Sequence, residues 1–233
     1  SIEAEIEIMV NSKCTKHILS AQGNGPVNGI VQDGLVASFI LTMKWDDKSI
    51  TMVPKKIALD IYKDSDIQKR RINDLMLRGY KYYPEYILCK NGVYEFTDEI
   101  PGSLFYSIIF PPTFCYTRTT NIHDDPMLST VKIENGIILP DSGPICKKSI
   151  GACNNSIIHA LGKLNPEYAG RILSDIQQIT DRWLPTHGFT MGISDCFANS
   201  SDGVAKTLIE TRTKVSSIIE KADTMEKAET DIN

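Results

Sequence analysis

The feature that most constrains this chain is the run that opens on Asn165-Pro166. Asn is a strong helix N-cap, and proline with its preset φ suits the first helical position. Behind them Ala169, Ile172, Leu173, Ile176, Ile179 and Trp183 recur at helical spacing, so the sequence predicts one long amphipathic helix that Leu184-Pro185 ends. A stripe of that length needs a broad apolar surface to cover it. With 233 residues and 42% hydrophobic side chains the chain can bury a sizeable core.

Other helices are read from the same periodicity. In Ser1–Val10 the residues Ile2, Ile6, Met9 and Val10 fit a helix stripe, while Ile2, Ala4, Ile6 and Ile8 alternate like a strand; the Ala and Glu content favours helix. Val31, Leu35, Phe39 and Met43 fall every fourth residue and predict a helix opened by Gln32 and Asp33. Another is expected from Asp66 to Leu77, with Ile67, Ile72, Leu75 and Met76 inward and Gly79 closing it. Val204, Leu208, Val215, Ile218, Ala222 and Met225 predict a last helix. Between Tyr82 and Gly151 the apolar runs are short and separated by turn residues, which reads as β: YILC, VYEF, SLFYSIIF, STVKI and GIIL, the last two around Asn135-Gly136. The fold class expected is therefore α+β. The polar, glycine-rich stretch Ser20–Asn28 reads as a specific loop.

Several chemistries are disfavoured. A net charge of -4 is unfavourable for a free-standing nucleic-acid binder, whose affinity comes from clustered Lys and Arg. Six cysteines lack CxxC pairing, so reduced, buried thiols are expected. Cys14 and His17 have a CxxH spacing without a second pair to complete four zinc ligands. His123, His159 and His187 have no nucleophile motif beside them, and Gly162-Lys163 lacks the preceding glycine of a phosphate loop. Asp46-Asp47 and Asp124-Asp125 are adjacent pairs whose side chains diverge; a small metal-dependent nuclease built on them is the weaker alternative to solvated turns. Lys69, Arg70 and Arg71 point three ways around a helix and so form no single patch.

The run from Ser20 to Asp33, SAQGNGPVNGIVQD, resembles the segment after the active-site loop in largest subunits of multisubunit DNA-directed RNA polymerases, where an SPQxNxPVxGIVQD-like sequence leads into a helix. Ser20, Gln22, Asn24, Pro26, Gly29, Ile30, Val31, Gln32 and Asp33 match, and Ala21 stands where proline is usual. The GIVQD form is similar to that of eukaryotes, archaea and large DNA viruses. Further matches follow in order: EAEIE before the loop, Asn135-Gly136-Ile137-Ile138, Lys147-Lys148-Ser149-Ile150-Gly151, the helix ending in Trp183-Leu184, and His187–Asp195, similar to the family's GFSxGIxD element. The likeness is weakest from about Asp46 to Thr130.

The resemblance implies a trailing edge of the active-site barrel over 1–42, a pore domain over 43–196 and the start of the funnel over 197–233. It implies an enzyme that makes RNA on a DNA template by a two-magnesium mechanism. The family's NADFDGD, whose aspartates hold that magnesium, does not occur here; the family order puts it roughly ten to fifteen residues before Ser1. No metal ligand or catalytic residue is thus expected in the chain, which opens on Ser1 and stops at Asn233 within a helical pattern as an interior piece would. By the same resemblance Gln22, Asn24, Pro26, Gln32 and Asp33 lie near the active centre, though the glycines around them equally serve loop geometry. Lys147 and Lys148 are candidates for contact with nucleic acid or nucleotide. Implied partners are the rest of the subunit, the second-largest subunit, DNA, RNA and nucleoside triphosphates, with no membrane. The setting implied is nuclear or cytoplasmic, or a virion for a large DNA virus. A non-catalytic structural module derived from such a subunit is the alternative.

Overall fold

The computed structural model describes residues 1–45, 49–65, 67–122, 129–197 and 201–221. These divide into two units, Ser1–Gly188 and Phe189–Asn233. Asp46, Asp47, Asp66, His123, Asp124 and Asp125 lie outside the described residues, as do Ala222 and Met225 of the last expected helix stripe.

The first unit is organised around the helix foreseen from Asn165-Pro166. Helix α1 (Ile2–Asn11) and a 3₁₀ turn (Cys14–His17) lead to the loop and to α2 (Gln32–Thr42). Short strands β1 (Lys44–Trp45), β2 (Ser49–Ile50) and β3 (Met52–Pro54) precede α3 (Lys55–Asp64) and α4 (Lys69–Gly79). Then come β4 (Ile87–Lys90), β5 (Val93–Phe96), β6 (Glu99–Pro101), α5 (Gly102–Tyr106), β7 (Tyr116–Thr119), β8 (Thr130–Glu134) and β9 (Ile137–Ile138). Helices α6 (Lys147–Ile150), α7 (Ile157–Leu164) and α8 (Pro166–His187) complete the unit. The strands form small antiparallel sheets, β1-β2, β3-β6, β4-β5 and β7-β8-β9, with Val53 facing Ile100 and Ile133 facing Ile138. At the Asn135-Gly136 turn both residues take positive φ, 49° and 70°, the geometry a two-residue hairpin needs.

Helix α8 starts as its sequence predicts: the Asn165 side chain accepts from the Tyr168 amide, and Ala169, Ile172, Ile176, Ile179 and Trp183 are buried. It does not stop at Pro185. One missing N–H in the last turn is tolerated, and the helix runs on to His187, where the Gly188 amide closes it on the Leu184 carbonyl at a φ of 80°. Against α8 lie α2 and α7, and α5 backs α2.

Several expectations are corrected here. In α2 the buried residues are Gly34, Ala37, Ser38, Ile40, Leu41 and Thr42, while Val31 is exposed and Leu35 and Phe39 are half-buried. A strict four-residue repeat drifts off a 3.6-residue helix, and the small side chains are what admit α8: a methyl added at Gly34 would lie 3.1 Å from the Gln177 amide oxygen. SLFYSIIF is not a strand but α5 followed by a 3₁₀ turn, Ser107–Ile109, and Lys147–Ile150 is a helical turn inside the expected β region. A continuous apolar run bears no periodicity that separates a buried helix from a buried strand. Helix α4 begins at Lys69, after Ile67, and α3 had no counterpart in the sequence reading. Of the thiols only Cys146 is buried; Cys14, Cys89, Cys115 and Cys196 are exposed.

The core joins Leu41, Tyr62, Leu104, Phe105 and Tyr106 to Val131, Ile133, Ile137, Ile138 and the α8 stripe. Its buried phenols are each hydrogen-bonded: Tyr62 to the Phe105 carbonyl, Tyr83 to that of Ile138, and Tyr106 to the Ser38 hydroxyl. No helix is long and apolar enough to cross a membrane, among the described residues. The second unit contains a 3₁₀ turn, Ile193–Cys196, and helix α9 (Ser201–Lys221), whose Val204, Leu208, Ile209 and Ile219 are exposed.

Candidate functional site

The loop between the Cys14–His17 turn and α2 is closed on itself by its own backbone. Leu19 and Pro26 form an antiparallel bridge, the Ser20 amide donates to the Gly25 carbonyl at 2.8 Å, and the Asn24 amide donates to the Ser20 carbonyl at 2.8 Å. The Val27 amide adds a bond to Ile18. The Ser20 hydroxyl accepts from the amide of Gln22 at 3.3 Å, which tightens the turn. Asn24 takes a φ of 48°, a conformation that Asn tolerates better than most side chains. Pro26 is buried, and Gln22 and Asn24 present their polar groups to solvent.

The loop docks on the segment that follows α6. Ile30 donates its amide to the Ile150 carbonyl at 3.1 Å. At Gly29 the two backbones touch: an added Cβ would sit 2.2 Å from the Ala152 nitrogen, which no side chain allows. At Gly25 it would sit 2.7 Å from the Asn154 side-chain oxygen. Two groups singled out separately in the sequence, the Gln22–Pro26 loop and the Lys147-Lys148 turn, are thereby joined through residues 150–154.

Lys147 and Lys148 are exposed on α6, a single turn held by a reciprocal pair in which Ser149 and Cys146 bond each other's backbone. The guanidinium of Arg118, on β7, donates to the Lys148 carbonyl, and the Cys153 thiol to that of Lys147 at 3.2 Å. Three cationic residues, Arg118, Lys147 and Lys148, thus share this edge. Arg118 was missed by the sequence reading, since nothing in a four-residue strand signals a contact 30 residues away. Asn154, against the loop, was missed for the same reason.

At the start of α2, the helix expected to be opened by Gln32 and Asp33, the N-cap is Val31, without a side-chain cap. Gln32 instead carries a φ of 52°, and Asp33 sits exposed in the first turn, where a negative charge suits the helix dipole. In sequence, Gly29 separates these two residues from Gln22 and Asn24, and buried Pro26 and Ile30 lie between them.

Among the described residues the remaining candidates do not assemble into a centre. No group of three His, Cys, Asp or Glu is gathered for a metal among the described residues, so these residues do not fit a magnesium site. His159 is buried, accepting from the Asn155 amide through Nδ1, and His187 stacks on Trp183 at 4.8 Å. Of the basic triplet, Arg71 alone turns inward, to Asp175 and the Ile108 carbonyl.

Residues 17–196 match the family model described as RNA polymerase Rpb1, domain 3, a span that includes the loop, the α6 turn and all of α8. This chain belongs to that family. Two subunits of Trypanosoma brucei brucei, DNA-directed RNA polymerase II subunit RPB1-B and subunit RPB1-A, are each 26% identical to it over 225 residues. The alignment covers 94% of this chain and 11% of each relative, so this Rpb1 segment spans about a tenth of their length. The family likeness first carried by SAQGNGPVNGIVQD therefore extends over residues 17–196, the stretch from Asp46 to Thr130 included.

Proposed function

We propose that this chain is part of a DNA-directed RNA polymerase that copies DNA into RNA from ribonucleoside triphosphates, and that it walls the secondary channel beside the active centre. Residues 1–42 close the active-site barrel domain, 43–196 form the pore domain and 197–233 begin the funnel. Gln22, Asn24, Pro26, Gln32 and Asp33 lie nearest the active centre, and Lys147 and Lys148 face nucleotide or nucleic-acid phosphate. Magnesium is held by other parts of the subunit. The partners are the remainder of the largest subunit, the second-largest subunit, DNA, RNA and the incoming nucleotides, in a nuclear or cytoplasmic enzyme.

The observation that carries the reading is the backbone contact at Gly29, which fastens the polar Gln22–Pro26 loop to the basic α6 turn within a chain of the Rpb1 family. A loop fixed that tightly holds its side chains at defined positions. Exposed apolar residues on α1, Ile2, Ile6, Met9 and Val10, give further support, because a helix with no buried residue of its own calls for cover from a larger assembly.

The test replaces Gln22 and Asn24 together by Ala in the complete enzyme. Assembly is expected to persist, since both side chains are exposed, while single-nucleotide addition or cleavage of backtracked transcript slows. A displacement of about 1 Å near reacting atoms costs roughly a hundredfold in rate. Unchanged addition together with unchanged cleavage in a preassembled elongation complex would assign the loop to architecture alone.

A further inference from the structure

Strand β7 carries two side chains that reach across to the segment 148–155. Tyr116 and Arg118 stand two residues apart on the strand and so share one of its faces. The Tyr116 hydroxyl donates to the Asn155 carbonyl at 2.8 Å, and the Arg118 guanidinium donates to the Lys148 carbonyl. Burial raises the Tyr116 phenol and the Arg118 guanidinium lowers it, as expected of two groups side by side. Between these two pins the segment receives the loop and its exit: Ile30 bonds the Ile150 carbonyl, Gly29 abuts Ala152 and Gly25 abuts Asn154.

The pin at Lys148 matters because α6 is a single turn, and one turn has too few internal bonds to hold its own orientation. Its Ser149 and Cys146 bonds are internal, and the Cys153 thiol, 3.2 Å from the Lys147 carbonyl and 3.6 Å from that of Lys148, belongs to the same stretch of chain. Arg118 comes from outside, on a strand anchored elsewhere. There Arg118 pairs with Val131 and Tyr116 with Ile133, both buried on β8, and the Tyr116 ring stacks on Phe114 at 6.0 Å. A charged donor also makes a stronger bond to a carbonyl than a neutral one. We propose, resting on the reading that Lys147 and Lys148 face nucleotide phosphate, that Arg118 is a positioning residue: it holds the Lys148 carbonyl from the sheet and so sets where both lysines are launched, without itself touching the nucleotide. A lysine ammonium is a point charge on a flexible four-carbon stem, so its value to a phosphate depends on where the backbone starts that stem. A strand supports such a turn more precisely than a loop does. Without the guanidinium the turn is free to shift, and nucleotide binding weakens while the step after binding, which the lysines do not perform, changes little.

The test uses the complete enzyme in a preassembled elongation complex and compares Arg118→Ala, the double variant Lys147→Ala with Lys148→Ala, and all three changes together. Arg118→Ala is expected to raise the KM for nucleotide about tenfold with kcat within about twofold, the pattern of a lost contribution to binding. Because the guanidinium acts through the lysines, adding Arg118→Ala to the double variant is expected to change KM no further. Hydrogen exchange followed by mass spectrometry gives a readout independent of turnover: peptides covering 147–155 are expected to exchange faster in Arg118→Ala. Additive effects on KM would mean that Arg118 meets the nucleotide directly, and unchanged exchange would mean that it pins nothing; either overturns the positioning role. So does an unchanged KM in Arg118→Ala beside a raised KM in the lysine variant. Faster exchange with a KM that neither Arg118→Ala nor the lysine variant moves would instead overturn the reading of the lysines, and the inference falls with it.

Discussion

At the scale of single residues the glycines of the loop divide into two kinds. Gly29 touches the backbone of Ala152, whereas nothing lies within 4 Å of a Cβ added at Gly23. Gly29→Ala must therefore push two chain segments apart, a form of overpacking that costs about 1–3 kcal/mol, and Gly23→Ala is expected to be neutral or slightly stabilising. Urea denaturation of both variants checks the pair, and equal midpoints would mean that the loop does not depend on its dock. The sequence pointed to this loop through its matched residues but was silent on what it touches. Gly151, Ala152 and Asn154 lie more than a hundred residues downstream, and neither contact leaves a local pattern. Arg118 was illegible for the same reason, whereas the Asn135-Gly136 turn was plain because its requirement for positive φ is local.

At the scale of elements, α8 was legible from end to end except for its last turn, since cap, proline and stripe agree with one another. Trp183 is 2% exposed near the end of that stripe. Its replacement by Ala is expected to cost about 3–5 kcal/mol, the range for removing a large buried aromatic. Chemical denaturation measures it, and a loss below about 1 kcal/mol would show that the unit relaxes around the gap. Asn165→Ala, which removes the bond to the Tyr168 amide, is expected to cost about 1 kcal/mol by the same method. The elements that resisted reading did so for identifiable reasons. Helix α3 buries only Ala58, Ile61 and Tyr62, too short a stripe to stand out, and begins directly after a strand proline. The α5 segment buries all five of its residues, so its sequence carries no contrast between faces. In α2 the large side chains drew the eye to the wrong face, because close helix packing there is made by Gly34, Ala37, Ser38 and Thr180.

Taken as a whole, the first unit sets its stability partly on buried phenols, and this makes its response to alkali specific. Burial raises the phenols of Tyr62, Tyr83 and Tyr106 above the ordinary tyrosine value, and the neighbouring Ser103 and Ser38 hydroxyls offset this in part at Tyr83 and Tyr106. In the unfolded chain these groups titrate near pH 10. Below that pH both states hold the protons, and the stabilising contribution is fully present. As pH climbs past about 10 the unfolded chain releases protons that the folded chain retains, so stability falls with rising pH, by at most roughly 1.4 kcal/mol per pH unit for each phenol. Lys44 acts in the opposite sense: burial lowers its amine, so charging it penalises the folded state and that penalty lifts as pH rises toward about 10.4. One half-exposed amine is outweighed by three phenols. The expected result is a melting temperature that holds to about pH 9.5 and then drops steeply toward pH 11. Tyr106→Phe forfeits the bond to Ser38 and is expected to melt lower at pH 8, yet to lose stability less steeply above pH 10 because one of the three groups is gone. Melting curves of the parent chain and the variant across pH 8 to 11 separate the two effects. An alkaline slope left unchanged by Tyr106→Phe would mean that this phenol ionises in the folded core as readily as in water, and that the polar contact with Ser38 is not sealed from solvent.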